Sequence, residues 1–394
     1  MRKVYTALEI SDSNIKLLIL EKINNDFFPI YKDKIDTNGL KDGKILIESE
    51  VANSLSILLD NCFKRTGIKI DKTILIVPTV NASFMAVEDS IEIDNLTTSI
   101  SSYDLSKLYS KLRKDNITYN TEMVMLKPIT YYVDGLPVIN PIGKEGLNLE
   151  TRSVLGFMPK NVLYPYFTLL HNLHIDVLGV IYNLVGDYEL IKTPETNSSL
   201  SVMINMGDDL TYIGIFNKGV LINSSTLNLG INFILKDIAS TYNISLSNAK
   251  FLKDNYISLS SKSSGDYDTI NLDTLENINI KIKSEEVSKM FGSRLVSVLR
   301  SIGSEIKKLT SKNVDYLLFS GGLTEIKGSK ELLETVFNNI VINDVKMIGV
   351  RDNSFSSIIG GIIYFVNEEK ANGRDISILS EEEIEVIMDK EFSL

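Results

Sequence analysis

The sequence is poor in the residues that build disulfides and metal centres. Its 394 residues include one cysteine, two histidines and no tryptophan. The single cysteine, Cys62, excludes an internal disulfide and suits a reducing compartment. It follows the apolar run Leu55–Leu59, so we interpret it as a core residue. His171 and His174 lie three positions apart without a cluster of acids or cysteines, which argues against a zinc site.

Long apolar runs are also missing. The longest, Ile358–Val366, is far shorter than the roughly 20 residues of a membrane-spanning helix. Glu9 and Asp12 interrupt the apolar start too early for a signal peptide. The chain has 51 acidic and 41 basic residues and therefore a net charge of −10, which argues against broad nucleic-acid binding. We therefore expect a soluble, cytoplasmic protein.

The first part of the chain reads as a small α/β unit with an insertion. Alternating apolar residues predict strands over Lys3–Ile10 and Ile15–Lys22, joined by the turn Ser11–Asn14. A helix over Glu48–Lys64 and a buried strand over Thr73–Val80 follow. Residues 81–162 differ in character, with a short amphipathic helix and strand-like segments separated by turn signals. This stretch predicts an inserted α+β module.

The second part repeats the opening pattern. After the polar stretch Lys192–Ser199, interpreted as a linker, come the strand Leu200–Met206, the turn Gly207–Asp209 and the strand Leu210–Phe216. A third strand and a helix over Ile231–Tyr242 follow. Because each half begins with a strand, a tight turn and a strand, the pattern indicates a duplicated domain.

Three loops can converge on a nucleotide. They are Glu9–Asn14, Asn205–Thr211 and Phe319–Gly328, one at the head of each half and one late in the second. Small residues at such turns expose successive backbone N–H groups, which form an anion-binding nest. Opposed hairpins can hold one polyphosphate between them, and the Gly321-Gly322 turn lets a nucleoside approach the backbone closely.

The order of these segments resembles the actin-like ATPases, and within them the bacterial FtsA family. The most specific segment is VDGLPVINPIGKEGLNLE, Val133–Glu150, and the segments HIDVLGVIYNL, FNKGVL, LNLGINFILKDIA and FGSRLVSVL also follow the FtsA order. The resemblance covers residues 1 to about 370. It implies an α/β, actin-like (actin/Hsp70/sugar-kinase) duplicated fold with an FtsA-type inserted subdomain, 1C.

The resemblance also implies the limits of the subdomains. Subdomain 1A would comprise residues 1–82 and 163–194, interrupted by 1C at 83–162. Subdomain 2A would comprise 195–245 and 309–355, interrupted by 2B at 246–308. A return helix at 356–370 and a tail at 371–394 would complete the chain.

The expected cofactor is ATP or ADP with Mg²⁺. The resemblance assigns the phosphates to two loops, with residues Ser11, Asp12, Ser13, Asn14, Gly207, Asp208, Asp209, Leu210 and Thr211. It assigns the nucleoside to Lys250, Lys253, Ser320, Gly321, Gly322 and Leu323. Glu9 and Asn205 would hold Mg²⁺ through water. No catalytic residue is predicted.

The phosphate loops depart from the family pattern by gaining acids. The family reads Asp-Ile-Gly-Thr/Ser-Ser where this chain has Glu9 to Ser13, and Asp-Ile-Gly-Gly-Gly where it has Asn205 to Asp209. Asn183 stands where the family has a water-positioning acid, and Lys250 where it has a Glu. Either extra Mg²⁺ or Lys250 offsets the acids, or the pocket no longer binds ATP tightly. We expect at most a weak ATPase.

The resemblance implies an adaptor that forms filaments with itself and links FtsZ to the membrane or to other divisome proteins at the division site. Phe291, Ser293 and Arg294 match the region that meets the FtsZ C-terminal tail; without a partner, Arg294 would be a solvated helix charge. The alternatives are an ATP-dependent phosphotransferase and another actin-like filament protein, of the shape-determining or pilus-assembly type.

The tail differs from that of the family, which ends in a basic amphipathic helix on the membrane. Here Ile384, Ile387, Met388 and Phe392 can form an apolar stripe, but the other face is strongly acidic. Anionic lipids repel such a face. Membrane attachment and a solvated or protein-binding helix both remain open.

Overall fold

The computed structural model describes residues 3–93, 99–260, 269–342, 347, 349–350, 352–371 and 377. Its centre consists of two five-stranded mixed sheets, and a four-stranded antiparallel sheet adjoins the first of them. Among the described residues, no helix is both long and apolar enough to cross a membrane.

The first half opens with an antiparallel meander of three strands. Ser11 to Ser13 form the short turn between the first two, and almost every residue of these two strands is buried, which explains their continuous apolar runs. The elements are β1 (Lys3–Ile10), β2 (Asn14–Ile23), β3 (Asp26–Asp36), β4 (Leu40–Lys41), β5 (Lys44–Ile45), α1 (Glu48–Thr66) and β6 (Lys72–Val77).

The insertion folds as a sheet with one helix on it. Its elements are β7 (Ser83–Glu92), α2 (Ser102–Asn116), β8 (Thr121–Val133), β9 (Leu136–Val138) and β10 (Asn148–Pro159), in the sheet order β7-β10-β8-β9. Ser101 caps α2 and exchanges hydrogen bonds with Asp104 in a capping box. A turn at Asp134-Gly135 has positive φ at both residues and joins β8 to β9.

The chain then returns to the first half through α3 (Lys160–Asn172), β11 (Asp176–Tyr182), α4 (Asn183–Ile191) and α5 (Pro194–Ser198). The first sheet has the order β11-β6-β1-β2-β3. The stretch interpreted as a linker contains the short helix α5, which Thr193 caps.

The second half repeats this topology. Its elements are β12 (Leu200–Met206), β13 (Thr211–Asn217), β14 (Val220–Leu227), α6 (Ile231–Tyr242), α7 (Leu246–Tyr256), β15 (Thr269–Asp273), β16 (Asn279–Lys283), α8 (Ser284–Leu309), β17 (Tyr316–Ser320), α9 (Ser329–Val336), β18 (Ile340–Ile342) and α10 (Ser356–Ala371). The second sheet has the order β14-β13-β12-β17-β18. In both sheets an antiparallel meander pairs with two parallel strands, as a duplicated domain requires.

Helix α10 packs against α4 at the junction of the halves. A Cβ on Gly360 would lie only 1.8 Å from the carbonyl oxygen of Gly186, so the two helices touch backbone to backbone. The last helix therefore binds tightly to the first half. The predicted subdomain limits stay a prediction.

Candidate functional site

The three predicted loops meet at one cavity of about 250 Å³ between the two central sheets. The turn after β1, the turn after β12 and the Gly321-Gly322 turn after β17 all line it. Each loop follows a buried strand, and β1 and β12 occupy equivalent central positions in their sheets. The duplicated topology therefore brings the loops together.

Most of the predicted nucleotide residues line this cavity. They are Glu9, Ser11, Asp12, Ser13, Asn14, Asn205, Gly207, Asp208, Asp209, Leu210, Lys253, Gly321 and Gly322. Thr211 instead donates a hydrogen bond of 2.8 Å to the carbonyl of Leu229. Ser320 and Leu323 are fully buried, and Lys250 is half-buried on α7 away from the cavity lining. The side chains of Thr211, Ser320 and Leu323 are therefore buried away from a ligand in this arrangement, and a nucleoside contact of Lys250 stays a prediction.

The three acids of the phosphate loops accept hydrogen bonds from the protein itself. The backbone N–H of Gly43 donates to Asp12 at 2.7 Å, and the amide of Asn232 donates to Asp209 at 2.9 Å. The Ser13 hydroxyl lies 3.5 Å from the Asp208 carboxylate, which joins the first and second loops across the cavity. Burial raises the pKa of Asp12, although the Gly43 hydrogen bond opposes this shift.

The second loop rests on the start of helix α6. The backbone N–H groups of Gly230, Ile231 and Asn232 donate to the carbonyls of Asp209, Gly207 and Asp208 at 3.0, 3.0 and 2.7 Å. A Cβ on Gly230 would lie 2.3 Å from the Asp208 carbonyl oxygen, so this contact requires glycine. The positive end of α6 also favours nearby carboxylates. The acidic turn is therefore stabilised by the protein without any phosphate.

Glu9, one of the two residues predicted to hold magnesium, forms a buried ion pair within the protein. Glu9 and Lys16 face each other across β1 and β2, both buried, with Nζ and carboxylate 3.0 Å apart. The Ser357 hydroxyl donates a further hydrogen bond of 2.8 Å to Glu9, and Lys16 donates to the Ser354 carbonyl. Within the described ranges, no three His, Cys, Asp or Glu side chains group as metal ligands. With its charge already paired, Glu9 does not fit a magnesium ligand in this arrangement.

Asn205 is likewise engaged in an internal contact. Its amide donates to the fully buried carboxylate of Asp187, which also accepts a hydrogen bond from Ser356. Burial raises the pKa of Asp187 to about 6, although both hydrogen bonds oppose the shift. Asp187 sits on α4 and Ser356 opens α10, so this contact ties the second sheet to the α4–α10 junction.

Asn183 lines the cavity in a structural role. Its side-chain oxygen accepts hydrogen bonds from the N–H and hydroxyl of Thr79, at 3.0 and 2.6 Å. It also accepts one from the N–H of Leu184, at the start of α4. Through these three hydrogen bonds, the Asn183 side chain holds the end of β6 against α4.

The end of the cavity near the third loop contains a carboxyl pair. Glu325 accepts a hydrogen bond of 2.6 Å from the N–H of Asn353 and interacts with the carboxyl of Asp352. Burial and then Asp352 raise the pKa of Glu325 to about 7. Burial also acts to raise the pKa of Asp352, but hydrogen bonds from Ser354 and Glu325 outweigh it and lower that pKa. Lys253 lies 2.9 Å from the Asp254 carboxylate.

The cavity as a whole is rich in carboxyl groups. Seven line it, against three lysines: Glu9, Asp12, Asp208, Asp209, Asp254, Glu325 and Asp352, with Lys16, Lys34 and Lys253. Two of these lysines are paired with acids within the site. An incoming polyphosphate would therefore meet an excess of negative charge.

The predicted partner region lies on α8. Arg294 and Ser293 are exposed, and the guanidinium lies 3.1 Å from the Asp237 carboxylate of α6. Phe291 is fully buried in the core of the second half. The prediction that Phe291 contacts a partner is therefore wrong, because its side chain packs in this core. The tail residues Ile384, Ile387, Met388 and Phe392 lie outside the described residues.

Several residues of the site were not predicted from the sequence. Lys16 is predictable in hindsight, because a short turn at Ser11 to Ser13 sets Glu9 opposite Lys16 in an antiparallel hairpin. Asp187, Asn232, Asp352 and Ser356 come from distant elements. No local sequence pattern indicated that these four residues belong to the site.

The comparisons with known proteins agree with this architecture. The model of the family "Cell division protein FtsA" matches residues 202–360. The cell division protein FtsA of Staphylococcus epidermidis (strain ATCC 12228 / FDA PCI 1200) is 23% identical over 366 residues, 91% of this chain and 78% of that protein. FtsA of Bacillus subtilis (strain 168) is 22% identical over 397 residues, 97% of this chain and 88% of that protein. The predicted resemblance to FtsA is therefore confirmed along most of the chain.

Solved structures share the fold. The PilM-PilN type IV pilus biogenesis complex gives a TM-score of 0.62 at 12% identity, covering 92% of this chain and 98% of that one. MreB5 of Spiroplasma citri bound to ADP gives 0.55 at 12% identity, covering 94% and 99%. The predicted actin-like duplicated fold is confirmed.

Proposed function

We propose, from the sequence relationship to FtsA along 91% of the chain, that this protein is an actin-like cell-division adaptor. It assembles with copies of itself into filaments and connects the C-terminal tail of FtsZ to the membrane or to other divisome proteins. Its place would be the inner face of the cell membrane at the division site. The observation that carries this proposal is that the relationship spans both halves and the insertion.

We infer that the cavity binds a nucleotide only weakly. Two solved relatives of the fold, MreB5 structures with ADP and with AMPPNP, contain a nucleotide. The three converging loops support binding of ATP or ADP in the equivalent cavity here. The carboxyl groups in that cavity and the closed Glu9–Lys16 pair support weak, poorly metal-dependent binding. We infer at most weak ATP hydrolysis.

The partner part of the proposal rests on Arg294. This exposed guanidinium stands on α8 with one carboxylate, Asp237, already beside it. A carboxylate of an acidic peptide can replace Asp237 and pair with the same guanidinium through two hydrogen bonds.

The phosphotransferase alternative has less support. Such an enzyme needs a carboxylate base facing its substrate hydroxyl. Asn183, at the position considered for that acid, is a neutral amide bonded to Thr79.

The direct test combines assembly and partner binding on the purified full chain. Negative-stain electron microscopy of the purified chain should show filaments, and a labelled FtsZ tail peptide should bind with a saturable anisotropy change. A chain that stays monomeric with and without nucleotide and does not bind the peptide would contradict the proposal. Phosphorylation of a sugar by the purified chain would favour the phosphotransferase alternative.

A further inference from the structure

Three charged side chains form a row across the first sheet. The register of β1, β2 and β3 sets Glu9 opposite Lys16, and Lys16 opposite Lys34. Residues directly opposite each other in neighbouring antiparallel strands lie on the same face of the sheet. All three residues line the cavity that the three loops share, so this row is part of one cavity wall.

Lys34 is the member of the row whose charge is not matched. Glu9 lies 3.0 Å from the ammonium of Lys16 and accepts a further hydrogen bond from Ser357. Lys34 is exposed and forms no ion pair with any residue that the structure describes. It also lies directly opposite Lys16, and like charges in this position are destabilising. This wall therefore carries one uncompensated positive charge, in a cavity whose other charges are mostly acidic.

Asp352 is an acid of the same cavity that the charge of Lys34 affects. Burial acts to raise the pKa of Asp352, and Lys34 is among the groups that lower it. The Asp352 carboxylate is already engaged, because the N–H of Ser354 donates to it at 2.8 Å and the carboxyl of Glu325 interacts with it. Lys34 and Asp352 do not form a closed pair like that of Glu9 and Lys16. The Lys34 ammonium is therefore available to a ligand.

Strand β3 brings Lys34 close to the first phosphate loop. Asn14, at the start of β2, lies opposite Asp36, at the end of β3. Just beyond this pair, the N–H of Thr37 donates a hydrogen bond of 3.1 Å to the carbonyl of Ser13. Lys34 thus precedes the residue that contacts the loop by three positions of the same chain segment, and it lines the same cavity as the loop.

On the basis of the nucleotide binding proposed above, we propose that Lys34 contacts the phosphates of the bound nucleotide and supplies the cation that the acidic loops lack. The ammonium of a lysine is a compact cation with three donors, which suits phosphate oxygens. A nucleoside without phosphates gains nothing from this charge. Lys34 therefore makes the cavity select nucleoside di- and triphosphates over nucleosides.

The test is a fluorescence titration of the full chain with N-methylanthraniloyl ATP and Mg²⁺ at low salt. Lys34→Gln should weaken binding at least about fivefold, because one charge-assisted contact is lost. Lys32→Gln is the matched control, since it removes the same charge from the same strand. Lys32 lies 5.7 Å from the centre of the Phe355 ring and outside the cavity lining, so this variant should change binding less than about twofold.

Two further measurements separate a phosphate contact from a structural role. Adenosine should compete with the analogue equally well in the wild type and in Lys34→Gln, because it carries no phosphate. The effect of Lys34→Gln should also shrink at about 1 M salt, which screens an exposed charge. Lys34→Arg keeps the positive charge and should bind the analogue within about threefold of the wild type.

A Lys34→Gln variant that binds the analogue as tightly as the wild type would overturn the role of Lys34 and leave the proposed nucleotide binding intact. Equal losses in Lys34→Gln and Lys32→Gln would overturn it as well, since they would indicate a general effect of charge. A wild-type chain that binds neither the analogue nor ADP would refute nucleotide binding itself, and the role of Lys34 with it.

Discussion

The side-chain amide of Asn232 donates a hydrogen bond of 2.9 Å to the carboxylate of Asp209 where helix α6 begins. Three backbone N–H groups at this point donate to carbonyls of the same turn. The turn is thus held by donors of the protein itself. The acids of the second loop therefore have a structural explanation, and because Asp208 and Asp209 also line the cavity, their carboxylates predict a weakened nucleotide site.

The buried ion pair of Glu9 and Lys16 should stabilise the native state. Lys16→Met leaves the Glu9 carboxylate buried without a cation, and we expect the free energy of unfolding to fall by about 3–5 kcal/mol. Urea denaturation followed by circular dichroism measures this loss. Lys111→Met breaks a surface pair with Asp89 and should change little. Equal losses in the two variants would show that the buried pair has no special role, and Glu9→Gln added to Lys16→Met should recover part of the loss.

The raised pKa of Asp187 predicts a pH-dependent stability. Its carboxyl has a pKa of about 6 in the native state and about 4 in the unfolded chain. The native state binds the proton more tightly, so this group lowers stability as the pH rises from about 4 to about 6. Asp187→Asn cannot ionise. Relative to the wild type, we expect it to gain about 2–3 kcal/mol across this window and nothing more above it.

Urea titrations at half-unit pH steps measure this difference. The exposed variant Asp36→Asn should follow the wild type at every pH. Parallel stability curves for the wild type and Asp187→Asn would show that Asp187 ionises normally in the native state.

Arg294 and Asp237 should have opposite effects on an acidic partner. Arg294→Glu removes the guanidinium and should weaken binding of an FtsZ tail peptide at least about tenfold, the loss of one charge-assisted bidentate contact. Asp237→Asn removes the competing carboxylate at 3.1 Å and should strengthen binding. Anisotropy titration measures both effects. Arg300→Glu, exposed on the same helix, is the control, and a loss as large as that of Arg294→Glu would indicate a general charge effect.

The sequence predicted those parts of the fold that depend on local patterns. The helix predicted over Ile231–Tyr242 is α6 with the same limits, and the turn at Gly207–Asp209 lies between β12 and β13 as expected. The side-chain partners were not predictable in this way. Ser356 reaches Asp187 across 169 positions of the chain, and only the packing of α10 on α4 brings them together.

The prediction for Phe291 was wrong for a different reason. Its place in the FtsA-like segment suggested a partner contact, yet it falls in the apolar period of α8 with Val287 and Leu295, which are also fully buried. Helical periodicity alone would have assigned it to the core.

We infer that the acids of the second loop weaken nucleotide binding. Calorimetric titration of the full chain with ATP and Mg²⁺, before and after Asp208→Asn with Asp209→Asn, measures this effect. Two carboxylates near a phosphate oppose binding by about 1 kcal/mol or more each, so the variant should bind ATP at least about tenfold more tightly. The control Asp26→Asn with Asp60→Asn removes two exposed charges elsewhere and should match the wild type. Wild-type protein that already binds ATP as tightly as the variant would contradict the claim.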